Sequence, residues 1–339
     1  MQYLVTGAAG FIGYHVCRRL LARGAQVQGI DNLNEYYNVG LKHDRLAQLT
    51  NYPGFRFTRL DLADRPETAQ FFASDAFDVV IHLAAQAGVR YSLENPHAYA
   101  DSNLVGFLNV LEGCRQTPPE QLIYASSSSV YGANRKVPFS VSDPVNQPVS
   151  LYAATKRANE LMAETYCHLF GIPMTGLRFF TVYGPWGRPD MAIYKFTQAI
   201  LKGEPIDVYN RGQMRRDFTY IDDIVDGILK IADASLLKTR DSEATQQSPT
   251  HRLFNIGNNR PGELEYLIAT LEQSLGVKAI KRYLPLQPGD LVETCADIDD
   301  IVREFGFEPR TGIEDGIDRF TKWYRGYHQQ ASVKLRRAA

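Results

Sequence analysis

Residues 3–31 read as strand, glycine turn, helix, strand, acid, and few folds accommodate that order. Tyr3-Leu4-Val5-Thr6 is a short apolar strand, and Gly7-Ala8-Ala9-Gly10-Phe11-Ile12-Gly13 follows at once. Phe11, Ile12, Val16, Leu20 and Leu21 then recur at helical spacing up to Arg23-Gly24. Glycines at such a turn let the backbone approach a pyrophosphate, and the next helix offers free N–H groups and positive potential. A second strand, Gln26 to Ile30, ends in Asp31-Asn32, with Asp31 18 residues beyond Gly13 (31 − 13). A carboxylate there accepts hydrogen bonds from an adenosine ribose and repels a 2′-phosphate, which favours NAD over NADP. The competing reading of Asp31 is a helix or turn cap. The spacing is Gly-x-x-Gly-x-x-Gly, so the inference rests on the whole unit rather than on three glycines.

Strands and helices keep alternating. Phe55 to Leu60 leads into Asp61-Leu62, an adenine contact in this reading. Asp78 to Leu83 is a nearly continuous apolar run, as expected of a strand buried on both faces, and ends in Ala84-Ala85-Gln86-Ala87-Gly88. Gln121 to Ala125 is another such strand, followed by Ser126 to Ser129. The repeated pattern predicts an α/β fold with a doubly wound parallel sheet and ligands at the strands' carboxyl ends.

The stretch Leu151-Tyr152-Ala153-Ala154-Thr155-Lys156 opens a predicted helix running to Phe170. A spacing of four puts Tyr152 and Lys156 on one face, one turn apart. A cation beside a tyrosine favours the phenolate and lowers a pKa that is ordinarily about 10. Such a pair can take a proton from a hydroxyl and return it. Tyr and Lys at this spacing also occur on ordinary exposed helices, so the pair gains its meaning from the nucleotide site before it.

Composition narrows the remaining classes. The chain has 339 residues, is 44% hydrophobic and 22% charged, and carries a formal net charge of −1. That suits a soluble globular protein of about two domains and gives no reason to expect nucleic acid or an acidic membrane surface. Four cysteines without close pairs read as reduced packing residues, the seven histidines show no ligand spacing, and no metal site is expected. His82 reads as a core residue. No apolar run reaches membrane-spanning length and the chain enters a strand at once, so a cytoplasmic location is expected.

Taken together, Thr6-Gly7-x-x-Gly10-x-x-Gly13, the serine after the fifth strand and Tyr152-x-x-x-Lys156 resemble the extended short-chain dehydrogenase/reductases, over about Gln2 to Trp323. Ala85 to Ser92, Ser126 to Gly132 and Arg178 to Met191 are similar to the UDP-glucuronate 4-epimerase family. The resemblance implies Tyr152 as base, Lys156 on the nicotinamide ribose and Ser127 as third catalytic residue. It also implies a tightly held NAD lined by Gly7, Gly10, Phe11, Ile12, Asp31, Asn32, Asp61, Leu62, Leu83, Ala84, Ala85, Asn103, Ala125 and Phe179. Related 4,6-dehydratases carry Asp-Glu after the catalytic hydroxyl, and decarboxylases a glutamate in this loop; here Ser128-Ser129 stand instead. Hydride removal and return is then the simplest chemistry. The alternatives are a 4-epimerase for UDP-glucose or UDP-N-acetylglucosamine, or an NAD-binding protein without catalysis.

The alternation weakens after Phe179, where Pro185, Gly187 and Pro189 break the chain. The expected division is 1–179 for NAD, 180–330 mainly for the UDP-sugar, with some of 218–257 returning to the main sheet, and a basic tail at 331–339. Thr181, Arg188, Ser128 and Ser129 are expected at the sugar carboxylate, with Arg90 an alternative to Arg188; Arg188 in a loop salt bridge is the competing reading. By resemblance, Ile206 and Tyr209 hold uracil, Arg216 the pyrophosphate, and Gln287-Pro288-Gly289-Asp290 the uridine ribose. The basic residue nearest that turn is Arg282. Residues 235–250 read as a mobile loop. The resemblance further implies a homodimer through a four-helix bundle of the Tyr99–Arg115 and Tyr152–Phe170 helices.

Overall fold

A computed structural model describes residues 1–240, 250–287 and 290–338. Its strands are β1 (Gln2–Thr6), β2 (Gln26–Asp31), β3 (Phe55–Arg59), β4 (Val79–His82), β5 (Gln121–Ser127), β6 (Met174–Phe179), β7 (Thr181–Tyr183), β8 (Pro205–Val208), β9 (Arg215–Tyr220), β10 (His251–Ile256), β11 (Pro261–Glu263) and β12 (Ile280–Tyr283). Seven form one sheet in the order β10-β6-β5-β4-β1-β2-β3, with every neighbouring pair parallel. This is the doubly wound α/β sheet that the alternation predicts. The order reverses between β1 and β4, where a crevice opens at the carboxyl ends. β4 is buried throughout, as its apolar run requires.

β10 reaches this sheet from the second half of the chain, pairing with β6 from His251↔Met174 to Ile256↔Phe179. The other strands of that half form two small sheets, β11-β9-β7 and β12-β8. Most of 235–250 and the residues Pro288 and Gly289 lie outside the described residues. The backbone of the basic tail continues the helix Ile313–Ala338.

The helix Leu151–Phe170 starts at Ser150, whose hydroxyl accepts from Ala153 N at 3.1 Å, and ends at Gly171 in the left-handed region. Beneath it lies a buried ion pair. Glu160 receives Arg178 Nε at 2.8 Å and Nη2 at 3.0 Å, Arg157 at 2.9 Å and the Ser126 hydroxyl at 2.7 Å. The pair ties this helix to the ends of β5 and β6. The predicted Tyr99–Arg115 helix is not uniform. Pro96–Tyr99 and Gly106–Gln116 are α-helical, and Ala100–Val105 between them is a π-helix.

Candidate active site

A cavity of about 810 Å³ follows the carboxyl ends of the main sheet and opens toward β7 and β8. At one end the glycine turn forms its wall. A Cβ on Gly13 would stand 2.1 Å from Gly7 O, and Gly7 has φ +70° with a Cβ position 2.8 Å from Ala84 N. Neither place admits a side chain, so backbone lies against backbone and the groove stays open. The helix Phe11–Ala22 begins at Gly10 with no side chain capping its first N–H groups. Asp31 closes the end of β2, accepting from Ala9 N at 3.2 Å and Leu33 N at 2.8 Å. It therefore caps a turn and also lines the cavity. Asn32 donates to Asp61 at 3.0 Å. Uncapped helix N–H groups, a groove that a Cβ would fill and a carboxylate 18 residues on fit a dinucleotide.

Gly7, Gly10, Phe11, Ile12, Asp31, Asn32, Asp61, Leu62, Leu83, Ala84, Ala85, Ala125 and Phe179 all line this cavity. Asn103 does not. It is buried in the π-helical turn, donating to Gln86 O and Thr155 Oγ1 and accepting from Gln86 N. Its work is to hold the 84–88 loop against the Tyr152 helix.

Tyr152, Ser127 and Lys156 all line the cavity, with the Ser127 hydroxyl against the Tyr152 phenol. Lys156 is buried and donates to Ala125 O at 2.9 Å; burial lowers its pKa to about 8. The expected lowering of the Tyr152 pKa by Lys156 is not what this geometry produces. Burial raises the phenol's pKa, while the Ser127 hydroxyl and the Arg188 charge pull it down. Desolvation dominates because the ammonium donates to the Ala125 carbonyl and not to the phenol. Below, His82 meets Thr6 Oγ1 at 2.9 Å, and burial lowers its pKa to about 3, with Lys156 adding to the effect, so it is a neutral core residue as expected.

Ser128, Ser129, Thr181, Arg188, Arg90, Ile206, Tyr209 and Asp290 line the other end. Arg188 reaches the cavity, but its fork is engaged: Nε and Nη2 donate to Asp190 at 3.0 and 2.5 Å. Tyr36 donates to the same carboxylate at 3.2 Å. This is the loop salt bridge that competed with a free carboxylate-binding fork. Arg90 is also paired, to Asp290 at 2.9 Å, and lies over the Tyr209 ring at 4.5 Å. Arg216 is not among the lining residues; it donates to Leu291 O and Val292 O and secures that segment. Arg282 pairs with Asp207 at the surface. The sequence reading missed Tyr36, Lys42, Asp190 and Lys195, which line the cavity. Only Asp190 carried a signal, standing two residues from Arg188. Lys195 is exposed on the helix Ala192–Lys202, and among the described residues its ammonium makes no ion pair.

A parallel nucleotide sheet with Tyr, Lys and Ser at its ligand edge defines an extended short-chain dehydrogenase/reductase. The chain belongs to the NAD dependent epimerase/dehydratase family, which it matches over residues 3–243, and within it to the UDP-glucuronate 4-epimerase group. UDP-glucuronate 4-epimerase 2 of Arabidopsis thaliana is 48% identical over 344 residues, covering 100% of this chain and 79% of that protein. Protein CapI of Staphylococcus aureus is 49% identical, covering 97% of this chain and 100% of that one. The crystal structure of UDP-glucuronic acid 4-epimerase from Bacillus cereus with UDP-glucuronic acid and NAD superposes with a TM-score of 0.87 at 32% identity, covering 96% of this chain and 100% of that one.

Proposed function

We propose that this protein inverts C4 of UDP-glucuronate to give UDP-galacturonate, through a 4-keto sugar. The observation that carries the reading is one continuous cavity in which the glycine turn, Tyr152 and the Thr181–Arg188 wall all take part. NAD, when bound, supplies a reversible hydride acceptor. Gly7, Gly10, Asp31, Asn32 and Asp61, which line the cavity, would hold it, and Lys156 would hold its nicotinamide ribose. Tyr152 takes the proton of the sugar 4-hydroxyl and returns it after the sugar has turned over. Ser127 orients that hydroxyl and shares its proton.

Ser128, Ser129, Thr181 and Arg188 hold the C6 carboxylate. A 4-keto uronate is a β-keto acid and loses CO2 most readily from a poorly solvated carboxylate with its C–C bond perpendicular to the ketone. Fixed donors stabilise the charge and keep the bond off that angle. Thr181→Ala and Arg188→Ala therefore raise the share of UDP-pentose product. Arg188 already faces Asp190, and that favours the neutral UDP-hexose reading, so UDP-glucose is the control substrate. Proton NMR of the purified protein with UDP-glucuronate and no added NAD tests the whole proposal. New UDP-galacturonate signals are expected; an NAD-loaded protein that leaves UDP-glucuronate unchanged overturns it.

For the assembly we infer a homodimer through the helices Gly106–Gln116 and Leu151–Phe170, supported by exposed Leu161 and Leu169 on one face of the latter. No described helix is long and apolar enough to cross a membrane. Four free, buried cysteines and a nucleotide-sugar substrate support a cytoplasmic location.

A further inference from the structure

Arg45, on the helix Val39–Leu49, is fully buried and lies outside the cavity wall. Its Nη1 donates to Ala9 O at 2.8 Å and to the Tyr37 hydroxyl at 2.7 Å; its Nη2 donates to Trp186 O at 2.6 Å and Gly187 O at 3.4 Å. Among the described residues no carboxylate pairs with it, and its Nε has no acceptor. A buried guanidinium without a counter-charge is expensive and persists only where its hydrogen bonds are well placed. Here they join two turns that are distant in sequence.

Both turns are under constraint. Ala9 is gripped from two sides, since its N–H donates to Asp31 and its carbonyl accepts from Arg45. Trp186 has φ +62°, a left-handed conformation that strains a large side chain and clusters at functional sites. Arg45 fixes the carbonyl of that strained residue, two positions before Arg188. The Trp186 ring is wedged between Tyr14 and Trp323, at centroid distances of 5.5 and 5.4 Å.

We propose that Arg45 is a positioning residue that couples the two halves of the site, registering the glycine turn against the turn that carries Arg188. A dinucleotide that orders the first turn then pre-orders the second for the sugar carboxylate. By linkage, the carboxylate strengthens dinucleotide retention by the same factor. The identity of the two ligands rests on the proposed function; the strut itself rests on the four hydrogen bonds.

The test is calorimetry on the NAD-loaded protein with UDP and with UDP-glucuronate, together with the rate of NAD loss on dilution with and without UDP-glucuronate. In Arg45→Met the preference for UDP-glucuronate over UDP falls by about tenfold, and UDP-glucuronate no longer slows NAD loss. Arg45→Lys keeps the charge but cannot bridge both turns, and falls between. A merely structural role lowers the melting temperature of Arg45→Met and leaves both ratios within about twofold of wild type, which overturns the proposal. Should Arg45→Met not fold, Tyr37→Phe removes one partner of the guanidinium and shifts both ratios in the same direction by a smaller factor; no shift there overturns it equally. Wild-type protein that binds UDP-glucuronate no better than UDP defeats the uronate reading instead, a result separate from failure of the coupling.

Discussion

Around the glycine turn the cavity wall is largely main chain: Gly7 against Ala84, Gly13 against Gly7, the open end of the helix Phe11–Ala22. Around Thr181 and Tyr209 it is side chain, and the charges there are largely spent on each other in Arg188–Asp190 and Arg90–Asp290. Backbone recognition depends on steric fit and on fixed N–H directions, so it is stiff and tolerates little volume. Side-chain recognition depends on which partner a charge prefers, so a ligand has to compete for it. Tyr152, Lys156 and Ser127 stand at the seam between the two.

The largest expected effect is at that seam. Tyr152→Phe lowers kcat by about 10²–10⁴-fold and leaves NAD content and UDP affinity unchanged, as read by the absorbance of released cofactor and by calorimetry. An NAD-depleted Tyr152→Phe protein breaks the separation of halves. Next comes the support beneath the seam. Glu160 sits between Arg178 and Arg157, and although burial alone would raise its pKa, Arg178 and the other partners hold it low. Glu160→Gln leaves Arg178 buried and unpaired, at a cost of about 3–5 kcal/mol visible in urea unfolding. A loss within ~1 kcal/mol places this network with surface ion pairs.

Smaller again is a pH effect with opposite signs for activity and stability. Burial brings Lys156 from 10.5 to about 8. Between those values the unfolded chain holds the proton and the folded chain does not. The burial penalty is therefore full below about pH 8 and relieved as pH rises through the window. Activity that needs the ammonium falls over the same range. The kcat profile is expected to show an alkaline limb near pH 8, while the melting-temperature gap between Lys156→Met and wild type narrows from pH 8 to 10. An activity still rising at pH 9 makes the phenolate, not the ammonium, the limiting species.

This contrast also governs what the chain discloses on reading. The glycine turn, Asp31 and Tyr152–Lys156 are legible because each acts through neighbours within one turn or one βαβ unit. Asn103 is not in the cavity wall, and nothing in its own segment reveals a π-helical turn that points it at Gln86 and Thr155. Arg216 is not in the cavity wall either, and the carbonyls it serves, at Leu291 and Val292, are 75 and 76 residues away in the chain. Arg45 gives no signal at all: in an ordinary amphipathic helix one arginine looks like another until the fold places it between Ala9 and Trp186. The Tyr152 pKa departs from the expectation for a related reason, since spacing shows that a cation is near but not that burial outweighs it.

The smallest expected effect probes the charge competition directly. Asp190 holds the Nε and Nη2 edge of Arg188, and a uronate arriving there has to share or displace that edge to be gripped by it. The carboxylate also adds a negative charge beside the place proposed for another. Asp190→Asn keeps an acceptor for Tyr36 and removes that charge, so Arg188 turns more readily to the sugar. The KM for UDP-glucuronate is expected to fall by about threefold to tenfold, in line with one ordinary net hydrogen bond of about 0.5–1.5 kcal/mol, while the KM for UDP-glucose stays put. Added salt should shrink the gain, because it screens the partly exposed pair. A rise in KM for the uronate alone reverses the interpretation: Asp190 then serves to aim Arg188, and the second half of the cavity is as preorganised as the first.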